Sequence, residues 1–71
     1  MLTYEIRSDG MTASIDWDYD DCSTERENNR SAIDCLLTEH WDGKSDYVIV
    51  KIEDGEEMEL RRTTGSTVVM Q

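Results

Sequence analysis

The sequence contains no proline, only two lysines and two cysteines, and no apolar run near the ~18 residues that a membrane helix needs. Each shortage removes a class of explanation. The first residues, Met1-Leu2-Thr3-Tyr4-Glu5, lack the basic start and apolar stretch of a secretory signal, so a cytoplasmic location is expected. In that compartment Cys22 and Cys35 are expected as free thiols, not as a disulfide. Their spacing with the single His40 fits no common zinc pattern and offers no fourth ligand. His40 is expected to pack at a helix edge beside Trp41, and Cys35 to act as a small apolar residue. The absence of proline fits a compact chain with short glycine turns.

Length is the next limit. Seventy-one residues make one domain, 1–71, and such a chain buries only about 60% of the surface its unfolded form exposes. A catalytic cleft usually needs roughly 300 Å³ or more of concave space. A non-enzymatic protein with no cofactor and no catalytic residue is therefore expected.

What the chain has in abundance is acid. Seventeen Asp and Glu residues face seven Lys and Arg, giving a net charge of -10 and a pI near 4.2. That field repels nucleic acid and anionic lipid and attracts basic protein surfaces from a distance. The expected partner is thus a basic protein, with no direct nucleic-acid contact and no membrane.

Periodicity divides the chain into six elements. Leu2 to Tyr19 alternates at strand period around Asp9-Gly10, a pair suited to a two-residue hairpin turn. That turn places Ile6 opposite Ala13, Tyr4 opposite Ile15 and Leu2 opposite Trp17, with Thr12, Ser14, Asp16 and Asp18 on the other face, continuing to Asp20. From Thr24 to Trp41 the spacing is helical. Asn29, Ala32, Ile33, Leu36, Leu37, His40 and Trp41 share one side, Thr24 and Glu27 form a capping box, and Gly43 is placed to end the helix. The turns from Glu25 to Arg30 have almost no apolar residue and are expected to project or fray. Asp46 to Met70 reads as a three-strand meander with three-residue loops Glu53-Asp54-Gly55 and Thr63-Thr64-Gly65. In that register Val50 faces Met58 and Met70, Val48 faces Leu60 and Val68, and Lys51 faces Glu57, with Tyr47, Ile49 and Val69 on the outer face. The expected fold is α+β, ββαβββ, an antiparallel sheet with one helix packed on one face.

The candidate site is the acidic segment Asp16, Asp18, Asp20, Asp21, Glu25 and Glu27, joined by Asp54, Glu56, Glu57 and Glu59 of the meander. Alternate carboxylates on one strand face stand roughly 6.6 Å apart, close to the spacing of successive phosphates. Such a row fits the Lys and Arg sites of a nucleic-acid-binding protein. Three alternatives stand beside this reading. Asp16, Asp18, Asp20 and Glu27 occupy positions 1, 3, 5 and 12 of a calcium loop, although Asp21 replaces its glycine. The charges also fit a solvated face that serves solubility. Finally, Tyr47, Ile49 and Val69 form an apolar patch suited to a homodimer or to an antitoxin-like interaction module.

The size, the ββαβββ layout and the carboxylate row resemble the small acidic inhibitors encoded by phages, above all anti-CRISPR proteins of the DNA-mimic type. The resemblance covers the whole chain and includes no specific motif. It implies a Cas effector subunit as partner, the host bacterial cytoplasm as location and blockade of its nucleic-acid site as mechanism; apart from the resemblance, the chain is expected to act as a monomer or homodimer.

Overall fold

The computed structural model describes residues 2–8, 10–64 and 67–70. In chain order the elements are β1 (Leu2–Ser8), β2 (Met11–Asp16), α1 (Glu25–His40), β3 (Tyr47–Glu53), β4 (Glu56–Thr64) and β5 (Thr67–Met70). The strands form one antiparallel sheet in the order β2-β1-β3-β4-β5, and α1 lies chiefly over β1 and β2. This is the α+β, ββαβββ arrangement expected from the sequence.

The first hairpin has the expected register. Ile6 pairs with Ala13 and Tyr4 with Ile15, and the Trp17 amide donates to the Leu2 carbonyl at 2.9 Å. Gly10 supplies a positive φ of 70°, while Asp9 lies outside the described residues. Strand β2 stops at Asp16, so the expected carboxylate row on the strand face does not extend through Asp18 to Asp20.

The helix starts on the expected capping box: the Glu27 amide donates to the Thr24 hydroxyl, and the Thr24 amide to the Glu27 carboxylate. It ends at His40, which is exposed, and Trp41 caps it in an extended conformation. Gly43 adopts φ +83° in the loop beyond, so it turns that loop and does not end the helix. Asp42 organises the same loop. Its carboxylate accepts from the amides of Lys44 and Ser45 and from the Ser45 hydroxyl. Those hydrogen bonds, the hydroxyl first, hold its pKa at about 2.

The meander departs from the expected register. Asp54 and Gly55 both have positive φ, 51° and 85°, and Glu53 pairs with Glu56, so the β3–β4 turn has two residues, not three. Lys51 consequently pairs with Met58, and Ile52 with Glu57. Thr63 and Thr64 are strand residues; Gly65, the last residue of the other expected loop, lies outside the described residues. Val68 pairs with Thr63 and Met70 with Arg61, not with Leu60 and Met58.

A one-residue slip exchanges the two faces of a strand. Pairing Ile6 with Ile49 and Ser8 with Tyr47 puts Tyr47, Ile49 and Lys51 on the helix side. Tyr47 is 3% and Ile49 0% exposed, so neither belongs to an outer patch, and the side chain of Val69 lies outside what is described. Leu60 joins the core through a bulge. Ile49 pairs with Arg61 and Val50 with Glu59, which leaves Leu60 as the extra residue, turned inward beside Ile33.

The opposite face of β3 carries Val48, Val50 and Ile52 with no helix above it. Val50 is nonetheless only 4% exposed. Arg7 stands opposite Val48 and Glu57 opposite Ile52, and their side chains meet at 3.0 Å, so the pair crosses β3 diagonally over Val50. Arg7 also pairs with Glu5, opposite Val50 on β1.

Two outcomes follow from this arrangement. Ile49→Ala lowers the unfolding free energy by roughly 2–5 kcal/mol in urea denaturation, and Val48→Ala by clearly less, the reverse of what the expected register requires. Stability falls as pH drops from about 4 toward 2. The depressed pKa of Asp42 contributes above its unfolded value and is lost as the folded carboxyl takes up a proton. Asp42→Asn flattens that part of the profile in acid-unfolding curves.

Candidate acidic interface

The sheet register gathers carboxylates that are distant in sequence. Asp16 pairs with Thr3, Thr3 with Ile52, and Ile52 with Glu57, so Asp16 and Glu57 end one cross-strand row. Three strand spacings separate them, about 14 Å. One row further out, Leu2 pairs with Glu53, which pairs with Glu56 across the Asp54-Gly55 turn. The loop from Trp17 to Thr24 leaves β2 at this same end and leads into the helix start, with Glu25 and Glu27. The Asp16–Asp21 segment, the first helical turn and the β3–β4 turn thus occupy one end of the molecule.

Polar contacts fix that end. Asn28 is 2% exposed, and its side-chain amide makes four hydrogen bonds. Its oxygen accepts from the Trp17 indole N–H at 3.1 Å and from the Asp20 amide at 2.9 Å. Its nitrogen donates to the carbonyls of Asp20 at 3.1 Å and Thr24 at 2.9 Å. Trp17 packs edge-on against Tyr4 at 5.8 Å, and the Tyr4 hydroxyl donates to Asn29 at 2.6 Å. Burial raises the pKa of that phenol. The first two helical turns were expected to project or fray for lack of apolar residues; hydrogen bonds hold them down instead.

Lys51 adds a third anchor. Its side chain is 7% exposed, and its ammonium donates to the Glu25 carboxylate at 2.8 Å. Burial pushes the Lys51 pKa down, but the hydrogen bond to Glu25 and the nearby Tyr4 and Glu53 outweigh it, and the net shift is upward. The same hydrogen bond lowers the pKa of Glu25.

The ten carboxylates expected at the interface therefore divide. Glu25, Glu57 and Glu59 are ion-paired with Lys51, Arg7 and Arg62. Asp20 accepts from the Cys22 amide and the Ser23 hydroxyl, and Glu27 is held in the capping box, which lowers its pKa. Asp16 accepts one hydrogen bond, from the Thr3 hydroxyl at 3.3 Å. The carboxylates of Asp18, Asp21 and Glu56 are exposed and bond to no described residue, and Asp54 is exposed at the turn. Glu59 faces outward opposite Val50, further along the sheet than the others.

Two residues escaped the sequence reading. Tyr19 is 45% exposed, an aromatic ring between Asp18 and Asp20. Asn28 carries the loop, and its only sequence signal is a polar residue at helical spacing from Ala32. Of the four carboxylates of the calcium alternative, Asp20 and Glu27 are engaged with backbone amides, and no group of three His, Cys, Asp or Glu among the described residues is arranged to hold a metal ion. Cys22 and Cys35 are free thiols; Cys35 donates to Glu39, which raises its pKa. A surface groove of about 620 Å³ between α1 and β4 is lined by Arg26, Arg30, Arg61 and two acids over Ile33 and Leu60, without cysteine, histidine or serine. No described helix is long and apolar enough to cross a membrane.

No family model matches the sequence, and no curated protein or solved structure matches it. The functional reading rests on the geometry.

Removing the Asn28 amide strands the Trp17 indole N–H and the Asp20 amide. Asn28→Ala is expected to cost about 1–3 kcal/mol for each group left unpaired, read by chemical denaturation with Trp fluorescence.

Proposed function

We propose that this protein is a non-enzymatic inhibitor whose acidic end occupies a basic nucleic-acid-binding surface on a partner protein. The resemblance to DNA-mimicking anti-CRISPR proteins makes a Cas effector subunit in the bacterial cytoplasm the partner to test. The observation that carries the reading is the convergence of Asp16, Asp18 and Asp21 with Asp54 and Glu56 at one end of a single sheet. Of the cations near this end, Lys51 and Arg7 are engaged with Glu25 and Glu57, and Arg26 of the first helical turn lines the groove between α1 and β4. A protein that used acid only for solubility would gain nothing from concentrating it there.

The ordered loop supports competition as the mechanism. Asp20, Asn28 and the capping box hold the backbone from Trp17 to Thr24, so the free carboxylates of Asp18 and Asp21 lose little conformational entropy when a partner's arginines meet them. Tyr19 supplies an aromatic contact at the centre of the charge, as interface cores commonly do.

The test is target-DNA binding by Cas effector complexes in the presence of this protein, read by gel mobility. Inhibition is expected to weaken steeply as rising salt shortens the Debye length below about 8 Å. The Asp16/Asp18/Asp21→Asn triple variant is expected to lose it by about tenfold or more with its circular dichroism unchanged. Undiminished inhibition by the folded triple variant would falsify the acidic-end assignment.

A further inference from the structure

We propose that the free edge of β2 receives an extended segment of the partner protein, with alternating basic and apolar residues, as an additional antiparallel strand. The inference rests on the acidic-interface reading and adds how the partner is gripped.

Strand β2 is an edge of the sheet, hydrogen-bonded only to β1. The Trp17 amide donates to the Leu2 carbonyl, which sets the parity of the ladder. Antiparallel pairing alternates, so Met11, Ala13 and Ile15 exchange bonds with β1, while Thr12, Ser14 and Asp16 turn their amides and carbonyls outward. No described residue bonds to those outward groups. Three donors and three acceptors line up along the edge of a hairpin whose other strand is paired with β3.

Edge strands are commonly guarded by lysine, proline or a bulge. Strand β2 has none of these, and its one charged residue is Asp16. An aspartate at the edge repels an acidic strand and attracts a basic one. The chain also repels itself: each copy carries -10, which opposes pairing of two β2 edges. A basic partner meets no such opposition.

The two faces of β2 define the side chains that fit. The outer face presents Thr12, Ser14 and Asp16, all exposed. The helix side presents Ala13 and Ile15, half-buried at the border of the core. An added antiparallel strand places residues directly opposite one another on the same face. Its outer-face residues meet Asp16 and are basic; its inner-face residues extend the apolar surface beside Ile15. Because Thr12, Ser14 and Asp16 point their backbone groups outward, the partner's basic residues are the ones whose amides bond to β2.

The test uses an eight-residue peptide of alternating lysine and valine, with two twins of the same charge, one N-methylated on the lysine amides and one on the valine amides. Binding to the intact protein is measured by fluorescence anisotropy. The lysine-methylated twin is expected to bind about tenfold more weakly than the parent, and the valine-methylated twin as well as the parent. Ser14→Pro removes an outward amide without breaking the β1 ladder, and Ser14→Lys guards the edge with no change of backbone. Both variants, checked by circular dichroism, are expected to lose the peptide to a similar degree. Equal affinity for the two twins, or unchanged binding by the folded Ser14 variants, overturns the proposal. Self-association in sedimentation that Ser14→Pro abolishes also overturns it, by assigning the edge to a second copy. If the Asp16/Asp18/Asp21→Asn protein loses inhibition of Cas effectors while the Ser14 variants keep it, the acidic interface stands and the edge-strand inference falls.

Discussion

The side-chain amide of Asn28 ties together three pieces of chain that have little else to hold them. It takes the indole N–H of Trp17, brackets Asp20 through both its amide and its carbonyl, and returns to the Thr24 carbonyl at the helix start. Every polar atom it offers is used in a buried setting, where an unmade bond is costly. The contact is neutral, so neither salt nor pH in the ordinary range loosens it. The rest follows from it: Trp17 is held against Tyr4, and the acidic loop is presented as a fixed shape on a protein that has only a thin core.

The sequence disclosed the local elements and hid the tertiary choices. The first hairpin was legible because β2 alternates strictly and Asp9-Gly10 admits one turn length. Thr24 and Glu27 marked the helix start through hydrogen bonds that depend on spacing alone. Strand β3 was ambiguous, since Tyr47 and Ile49 compete with Val48, Val50 and Ile52 for the same core. Lys51 shares parity with the first pair and so argued for the second. It faces inward because Glu25, 26 residues away, accepts its ammonium, and no local pattern reports that partner. Reading Gly55 as the third residue of a loop then completed the wrong register. Of the site, the concentration of acid was visible; which carboxylates are occupied was not, because capping and ion pairing are decided by neighbours in space.

The distribution of charge shows how a fold tolerates this much acid. Glu27 sits at the helix N-terminus, where the macrodipole and the capping box favour it. Glu5, Glu57 and Glu59 pair with Arg7 and Arg62 on the helix-free face, and Asp42 is wrapped by amides at the far loop. Carboxylates with structural partners are spread over the molecule, whereas Asp18, Asp21 and Glu56 sit at one end and Asp34 lies apart from them in the groove between α1 and β4. The Arg7–Glu57 pair has a second effect: it lets the sheet leave one face without a covering layer, because Val50, the central apolar residue of that face, is buried beneath the pair while Val48 and Ile52 on either side stay half-buried.

The position of β1 has a kinetic meaning. It is the first described element along the chain, yet it lies between β2 and β3, with Thr3 opposite Ile52, 49 residues later. On a ribosome the β1–β2 hairpin and the helix emerge with one side of β1 still bare, and closure waits until β3 is made. Pairings of such long sequence separation set a slow pace for a chain this short. The arriving strand finds the same kind of open row of amides that β2 displays permanently in the finished protein. The nascent chain therefore passes through a state with two unpaired edges on one hairpin, and the finished fold keeps only the one that carries Asp16.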